Sequence, residues 1–447
     1  MGHYAYYLRT DATQSQSETY FRYAGGCRFL YNLALEQRNL RYFEGPLPTM
    51  LELARAKEAR DALRKAGIKP KRKESAPPEK GDKKEVVHKI TYASQSAEIK
   101  ILRSAYPWLN DIPFCCLQET LRNLDRAFVN FFKNKSRYPV FHKKSGKASV
   151  NFPPNRINIK ELSDKAGGTE GLYCSKFRVV KSKIGEDVGL LNVRTDRPIL
   201  GIPKSTTLKF EGDGHWWLSI TTEQEIKKEK AKPGKIGIDL GVVRWIALSN
   251  GLTLPVEDKH IKTVFRIYYL REKLKRALSR LDRRKVRGSN NFKKEQVKIR
   301  SLKWRIAKAT ESVIHEMTDY LTKNYDYIAV EALRVKNMTA SAKGTIENPG
   351  KNVKQKTGLN RSLLEKCFGK VVEQIIYKAE WRGGEVHKVN PANTSITCSS
   401  CHYTNEKNRI DQPRFLCKKC GFSMNADENA AKNILRLALD ESALLTA

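Results

Sequence analysis

The chain has 447 residues, of which 40% are hydrophobic, and this is enough for about two to four domains with buried cores. Lysine and arginine number 84 against 48 acidic residues, and the formal net charge of +36 indicates nucleic acid as the partner. No segment reaches the roughly eighteen apolar residues of a membrane span, and no signal sequence or lipidation motif is evident. We therefore expect no membrane partner and a cytoplasmic protein.

The first part of the chain predicts a strand followed by helices. Residues 1–15 are predicted to form the strand. Residues 16–135 are predicted to form a helical domain, because apolar residues recur there every three or four positions. These positions are Phe29, Leu30, Leu33, Ala34 and Leu40 in one segment and Leu117, Leu121, Leu124, Phe128 and Phe131 in another. Between the two segments, residues 67–87 are rich in Pro, Lys and Glu and have few apolar side chains, which predicts a mobile insertion.

Residues 136–232 have the pattern of a small, mainly β domain. Short apolar runs alternate with turns, and Gly212, Asp213 and Gly214 predict a hairpin. Trp216 and Trp217 follow this turn and should lie on opposite faces of one strand, so at least one of them should be part of the core.

Residues 233–393 predict an α/β domain with two strands, a long helical region and a further strand at 327–331. Between residues 261 and 310, 18 Lys and Arg residues stand against three acidic residues. A helical apolar stripe is predicted at Leu270, Leu274, Leu278 and Leu281. The outer face of this region should therefore be cationic and suited to contacts with phosphates.

Three acidic residues stand at the ends of separate predicted elements. Asp239 ends an apolar strand in KIGIDLG, Glu331 ends the strand YIAV, and Asp427 begins a helix in NADENAAKNIL. Each has an ordinary explanation, as a turn former, an ion-pair partner and a helix cap respectively. The order strand-Asp, strand-Glu, helix-Asp is that of an RNase H-like nuclease. If the three converge, their repulsion requires cations, and such a cluster holds two Mg²⁺ about 4 Å apart for phosphodiester hydrolysis.

Four cysteines form two CxxC pairs separated by fifteen residues, which is the spacing of a zinc ribbon. They are Cys398, Cys401, Cys417 and Cys420. Four thiolates leave no open position on the metal, so Zn²⁺ here should be structural. Two disulfides are the alternative, although bridges within CxxC pairs are strained. Neighbouring Lys and Arg residues make the ribbon basic and suited to a nucleic-acid contact near the three acids.

These motifs, together with AGGCRFLYNLALEQR, YPWLNDIP, LQETLRNLDRAFVNFF and RYPVFHKK, resemble the TnpB nucleases of transposons and the miniature type V CRISPR effectors. The resemblance spans nearly the whole chain, apart from an insertion between about residues 45 and 95. It implies a multidomain α+β protein with a helical recognition domain, a β-barrel wedge domain and an RNase H-like (RuvC) α/β domain with an inserted zinc ribbon. The implied boundaries are 1–15 for the first wedge strand, 16–135 for recognition, 136–232 for the wedge, 233–393 for RuvC, 394–424 for the ribbon and 425–447 for the last RuvC segment and tail.

The resemblance implies an active RNA-guided DNA endonuclease with Asp239, Glu331 and Asp427 as its catalytic triad. A guide RNA would pair with one strand of a double-stranded target DNA beside a short flanking motif. The polar stretch 336–360 is predicted to form a lid over the site. Alternatives are a CRISPR guide instead of a transposon-end RNA, a guided binder that does not cut, and an unguided RNase H-like transposase. The oligomeric state stays open.

Overall fold

The computed structural model describes residues 2–40, 46–66, 90–144, 147–153, 157–158, 176–179, 190–194, 199–225, 229–255, 257–284, 286–345 and 348–446. The chain divides into two compact units, Met1–Glu225 and Ile226–Ala447. The insertion predicted at 67–87 lies outside the described residues. In the part of the chain that the structure describes, no helix is both long and apolar enough to cross a membrane.

The first unit combines four helices with seven strands. Its elements are β1 (Gly2–Asp11), α1 (Gln14–Asn39), α2 (Met50–Lys65), α3 (Tyr92–Ala105), α4 (Phe114–Phe132), β2 (Ala148–Phe152), β3 (Ile157–Asn158), β4 (Lys176–Val179), β5 (Leu190–Arg194), β6 (Ile202–Phe210) and β7 (Trp216–Gln224). α1 begins at a capping box, in which the Thr13 side chain accepts from the Gln16 backbone N–H and the Gln16 side chain accepts from the Thr13 backbone N–H.

The seven strands form one antiparallel sheet in the order β2-β6-β7-β1-β5-β4-β3. The predicted first strand is present as β1, but it ends at Asp11 and not at residue 15, because the capping box at Thr13 begins α1. The predicted hairpin joins β6 to β7. β2 and β3 are the edge strands, and the described residues contain no pairing between them. The closed barrel therefore remains a prediction.

The core of the first unit forms where α1 and α4 pack with the sheet. The predicted stripes are buried at Leu30 and Leu33 of α1 and at Leu117 and Leu121 of α4. Trp216 is 2% exposed and its indole N–H donates to Ser17 Oγ at 2.9 Å, while Trp217 on the opposite face stacks on Tyr7. The alternation along the strand thus places one tryptophan in the core, as predicted.

The second unit has a five-stranded mixed sheet and a small two-stranded sheet. Its elements are β8 (Lys235–Asp239), β9 (Ile246–Leu248), β10 (Thr253–Leu254), α5 (Glu257–Asp282), α6 (Asn290–Asn324), β11 (Tyr327–Glu331), α7 (Val335–Met338), α8 (Val353–Lys366), α9 (Phe368–Arg382), β12 (Glu385–Val389), β13 (Arg414–Leu416), β14 (Ser423–Asn425) and α10 (Ala426–Thr446). The larger sheet has the order β10-β9-β8-β11-β12. β8, β11 and β12 run parallel to one another, whereas β9 pairs antiparallel with both of its neighbours, β8 and β10.

Helices cover both faces of this sheet, which explains why its central strands are apolar on both sides. Ile328 and Val330 of β11 face the core formed with α6 and α9, whereas Ala329 between them packs with Ile434 of α10. A Cβ on Gly237 of β8 would overlap the backbone carbonyl oxygen of Ala431, so glycine is required where α10 crosses β8.

The predicted apolar stripe of α5 is correct at three of its four positions. Leu270 is buried and Leu274 and Leu281 pack beside it, but Leu278 is 38% exposed. Ala277 occupies the buried position instead. An α-helix has 3.6 residues per turn, so positions on one face follow one another at alternating intervals of three and four residues. After the interval of four from 270 to 274, a further interval of four reaches 278, which lies off this face. The packing positions of α5 are therefore 270, 274, 277 and 281, of which 270 and 277 are fully buried.

Candidate active site

Asp239 and Glu331 end two neighbouring parallel strands. Ile238 of β8 is the register partner of Val330 of β11, so the residues that follow them, Asp239 and Glu331, terminate the strands side by side. Both acids stand at the carboxyl edge of the sheet, where the apolar part of each strand stops. Parallel pairing therefore joins two acids that are far apart in the sequence.

Asp427 is the second residue of α10, which packs across β8 at Gly237. The ordinary explanation of Asp427 as a helix cap does not hold in the structure. The side-chain oxygen of Asn425 accepts from the backbone N–H groups of Asp427 and Glu428 at 3.1 and 3.3 Å and performs the capping. The Asp427 carboxylate is consequently available for other contacts.

Asp239 lies within the electrostatic influence of the other two acids. Burial, followed by the negative charges of Glu331 and Asp427, raises the pKa of Asp239 to about 7, although Arg409 acts in the opposite direction. Burial also raises the pKa of Glu331, against the hydrogen bond from Thr394. Half-buried carboxylates whose charges act on a common neighbour are a suitable set of oxygen ligands for a hard divalent cation such as Mg²⁺.

Two further residues contact these acids, and both come from the segment around the cysteines. Thr394 Oγ1 donates to Glu331 Oε1 at 2.6 Å, and Arg409 Nη2 lies 3.3 Å from Asp427 Oδ1. The sequence predicts Arg409 only as part of a basic surface and does not single out Thr394. No local pattern reveals either contact, because each joins residues from different elements.

The four predicted zinc ligands lie together. Their sulfur atoms are all within 4.8 Å of one another, with Cys398 and Cys420 3.8 Å apart and Cys401 and Cys417 3.5 Å apart. Tetrahedral Zn²⁺ with Zn–S bonds of about 2.3 Å separates its sulfurs by about 3.8 Å, so the group fits such an ion. The four thiols are free, which argues against the disulfide alternative.

The Cys417 thiol is set up to ionise. Burial opposes ionisation, but backbone N–H groups of Cys420 and Lys419 point at its sulfur and lower the pKa of Cys417 to about 6. Since the thiolate is the form that binds a metal, this environment supports a metal centre.

Two asparagines of α10 hold the segment that leads into the cysteines. Asn433 Nδ2 donates to the carbonyl oxygens of Thr394 and Thr397 at 2.9 and 2.7 Å. One turn earlier, Asn429 donates to Thr397 O at 2.8 Å and accepts from the Ser399 backbone N–H at 3.0 Å. The helix that carries Asp427 therefore also fixes Thr394, the hydrogen-bond donor to Glu331.

A cavity of about 460 Å³ opens beside Glu331. Leu333, Phe368 and Val372 form part of its apolar wall, and Lys388 adds a positive charge. The carboxylate group thus adjoins a space large enough for part of a substrate.

Comparison with known proteins identifies matches in both functional segments. Residues 219–342 match the family described as "Probable transposase", and residues 368–434 match the family "Cas12f1-like, TNB domain". The first match contains Asp239 and Glu331, and the second contains all four cysteines and Asp427.

Individual relatives extend this similarity to most of the chain. The "Putative RNA-guided DNA endonuclease InsQ" of Escherichia coli K12 is 32% identical over 420 residues, which cover 93% of this chain and 87% of the relative. The "CRISPR-associated endodeoxyribonuclease Cas12f1" of Sulfoacidibacillus thermotolerans is 30% identical over 227 residues, 49% of each chain. A solved structure of the mini-RNA-guided endonuclease CRISPR-Cas phi3 matches 98% of this chain and 93% of that one, with 11% identity and a TM-score of 0.42. This TM-score is too low to establish a common fold.

InsQ is named as a putative RNA-guided DNA endonuclease, and Cas12f1 as a CRISPR-associated endodeoxyribonuclease. The similarity to InsQ combines 32% identity with nearly full coverage, so the chain belongs to the TnpB family. The chain is also similar to the miniature type V CRISPR effector Cas12f1.

Proposed function

We propose that the protein is an RNA-guided DNA endonuclease that cuts DNA at Asp239, Glu331 and Asp427. A bound guide RNA pairs with a strand of double-stranded DNA beside a short flanking motif, and one RuvC-type site hydrolyses the phosphodiester bonds. The names of the relatives support the general activity. The strand order β10-β9-β8-β11-β12, with the acids on β8, β11 and α10, supports an RNase H-like domain.

The observation that carries the proposal is that Asp239 and Glu331 end adjacent parallel strands and that the charges of Glu331 and of Asp427, from the start of α10, both act on Asp239. Burial, followed by the negative charges of Glu331 and Asp427, raises the pKa of Asp239, whereas a structural ion pair would lower the pKa of a carboxyl. A fold that retains such repulsion has a use for it in binding cations.

Within this site each residue has a distinct role. Asp239, Glu331 and Asp427 would hold two Mg²⁺, which when bound supply an activated water and charge stabilisation for the leaving oxygen. Thr394 keeps Glu331 in one orientation through its 2.6 Å hydrogen bond. Arg409 reduces the repulsion on Asp427 and places a guanidinium beside the site, where it can bind a phosphate of the substrate strand. The cysteines would hold a structural Zn²⁺ that keeps Thr394 and Arg409 in place.

The cationic helices α5 and α6 supply a surface for the nucleic acid. Ion pairs such as those of Arg271 with Glu365 and Arg280 with Glu295 use only a few of the positive charges in this region. Contacts with phosphates position a bound nucleic acid without reading its sequence, which suits a protein whose target is chosen by base pairing.

The principal alternative is a miniature CRISPR effector with the same chemistry and a different guide. The match of residues 368–434 to the Cas12f1-like family favours it, whereas the nearly full-length similarity to InsQ favours a transposon-end guide. An unguided transposase is the second alternative, in view of the family description matched by residues 219–342.

The test is to sequence RNA that copurifies with the full chain from its own locus, and then to assay cleavage of matching DNA with Mg²⁺. We expect a discrete RNA with both wild type and Asp239→Asn, and cleavage with wild type alone. Glu428→Gln is the matched control, because Glu428 follows Asp427 in α10 but forms an ion pair with Lys432. RNA without cleavage by wild type would indicate a guided binder, and cleavage without RNA would indicate an unguided enzyme.

A further inference from the structure

A second cavity lies in the first unit, between α1, α4 and the segment that leads into β2. Its volume is about 440 Å³, within the range of small-molecule sites. The residues of the segment that line it come from the motif YPVFHKK, from Lys147 and from β2. The proposed cleavage chemistry makes no use of this cavity.

One wall of this cavity contains an aromatic platform. The rings of Tyr31 and His142 are stacked with centroids 3.9 Å apart and planes inclined by 4°. Tyr31 is buried, whereas His142 is exposed, so the ring face of His142 away from Tyr31 can receive another planar group. Stacking on an aromatic side chain is how proteins bind unpaired bases.

The platform is held in place by Asn32. Its side-chain oxygen accepts from the His142 backbone N–H at 2.8 Å, and its Nδ2 donates to the His142 carbonyl oxygen at 2.9 Å. This pair of hydrogen bonds fixes a residue that belongs to no helix or strand. A fixed stacking face loses little conformational entropy when a ligand binds.

The cavity also has the charge that a phosphate needs. Arg28, Lys143 and Lys147 line it, and none of the described residues that line it is acidic. Partial burial of the ring beside Tyr31, followed by the charge of Arg28, lowers the pKa of His142, which favours the neutral ring and keeps it from adding to the repulsion between the cations. Asn123 and Asn151 add hydrogen-bonding groups.

We propose that this cavity binds one unpaired nucleotide, with its base stacked on His142 and its phosphate among Arg28, Lys143 and Lys147. A base within a double helix has neighbours on both faces, so only a nucleotide that leaves the stack can use the platform. The inference rests on the proposed function, which supplies the nucleic acid. The guide RNA and the target DNA contain the same chemistry, and the experiment distinguishes them.

The test is ultraviolet crosslinking of the full chain, carrying Asp239→Asn to prevent cleavage, with its guide RNA and target DNA. After nuclease and trypsin digestion, mass spectrometry should find a nucleotide on the peptide of residues 138–143. A ribonucleotide mass would assign the site to the guide, and a deoxyribonucleotide mass would assign it to the target. His142→Ala should abolish the crosslink and weaken binding of that nucleic acid about ten-fold, the effect of removing one base stack.

His142→Phe should restore the affinity, because the phenyl ring preserves the stacking face. Phe132→Ala is the matched control, since Phe132 is an exposed aromatic residue of α4 outside the cavity. If His142→Ala binds RNA and target DNA normally and the parent protein gives no crosslink, this inference alone is overturned. Absence of bound RNA in every variant, including Phe132→Ala, would overturn the proposed function and this inference together.

Discussion

Arg409 brings a positive charge to a site that otherwise consists of three acids. Its guanidinium pairs with Asp427 and opposes the rise in the pKa of Asp239. We expect Arg409→Gln to slow guided DNA cleavage about 10²-fold, the usual effect of removing a charge-stabilising donor from an active site. The measurement is the single-turnover rate with saturating guide and target.

Arg414→Gln is the control for this substitution, because Arg414 belongs to the same ribbon but pairs with Asp411 at an exposed position. It removes an equal charge and should leave the rate nearly unchanged. If both variants slow cleavage equally, the basic charge of the ribbon matters and the contact with Asp427 does not.

Single contacts also show how far local sequence patterns can be trusted. A helix cap is the ordinary explanation of Asp427 from the sequence, yet Asn425 performs this role, because either residue type can cap and only the backbone path decides which one stands at the N-cap. Thr394 lies 63 positions from Glu331, and nothing in its neighbours indicates that its hydroxyl donates to that carboxylate.

At the level of elements, the crossing of α10 over β8 positions Asp427, and Gly237 permits that crossing. We expect Gly237→Ala to push α10 away from the sheet, to destabilise the second unit by about 1–3 kcal/mol and to abolish most of the cleavage. Thermal unfolding and cleavage rate should fall together.

Gly358→Ala serves as the matched substitution, since a Cβ at this position in α8 meets nothing within 4 Å. It should stabilise the protein slightly, because alanine favours the helix by about 1 kcal/mol over glycine. Unchanged stability and activity in Gly237→Ala would show that α10 can adjust its position without cost.

The ribbon is a second element on which the site depends, because it presents Arg409 and is joined to Thr394 through Asn429 and Asn433. We expect Cys417→Ser to lose about one Zn²⁺ per chain by elemental analysis, to become sensitive to protease within residues 398–425 and to lose cleavage. Guide RNA should remain bound.

Cys367→Ser tests whether loss of any cysteine has the same effect, since Cys367 is partly buried outside the ribbon. It should retain both metal and activity. A Cys417→Ser protein that keeps its zinc content and protease resistance would contradict the assignment of a four-thiolate centre.

The molecule as a whole carries a net charge of +36, which predicts that RNA affinity decreases steeply with salt. Replacing Lys293, Lys294 and Lys298, three exposed cations of α6, by Gln should weaken binding. It should also make the plot of the logarithm of the RNA association constant against the logarithm of salt concentration less steep, by about one for each phosphate that the protein no longer binds. Filter binding at several salt concentrations gives the slope.

An equal loss of charge from α2 and α3 provides the comparison, through Arg55, Lys65 and Lys100. Because α2 carries acidic as well as basic residues, we expect a smaller change in slope. Equal slopes for the two triple variants would mean that total charge, and not the surface of α5 and α6, determines RNA binding.

Local pattern and covalent spacing are sufficient to predict part of this protein. Alternating and helical apolar periodicities predict β1, the hairpin at 212–214, β11 and the buried face of α4, all of which are present. The two CxxC pairs predict the four-thiol group, because a short ribbon of this kind has few other ways to form a stable core.

Packing between elements determines which separated residues meet. Parallel register places Glu331 beside Asp239, and close passage at Gly237 directs α10 so that the charge of Asp427 acts on Asp239. Arg409, Thr394 and the stack of Tyr31 on His142 depend in the same way on contacts between elements. Periodicity fixes which face of an element is apolar, but the pairing of faces and the path of the chain between them arise from packing, which no local window contains.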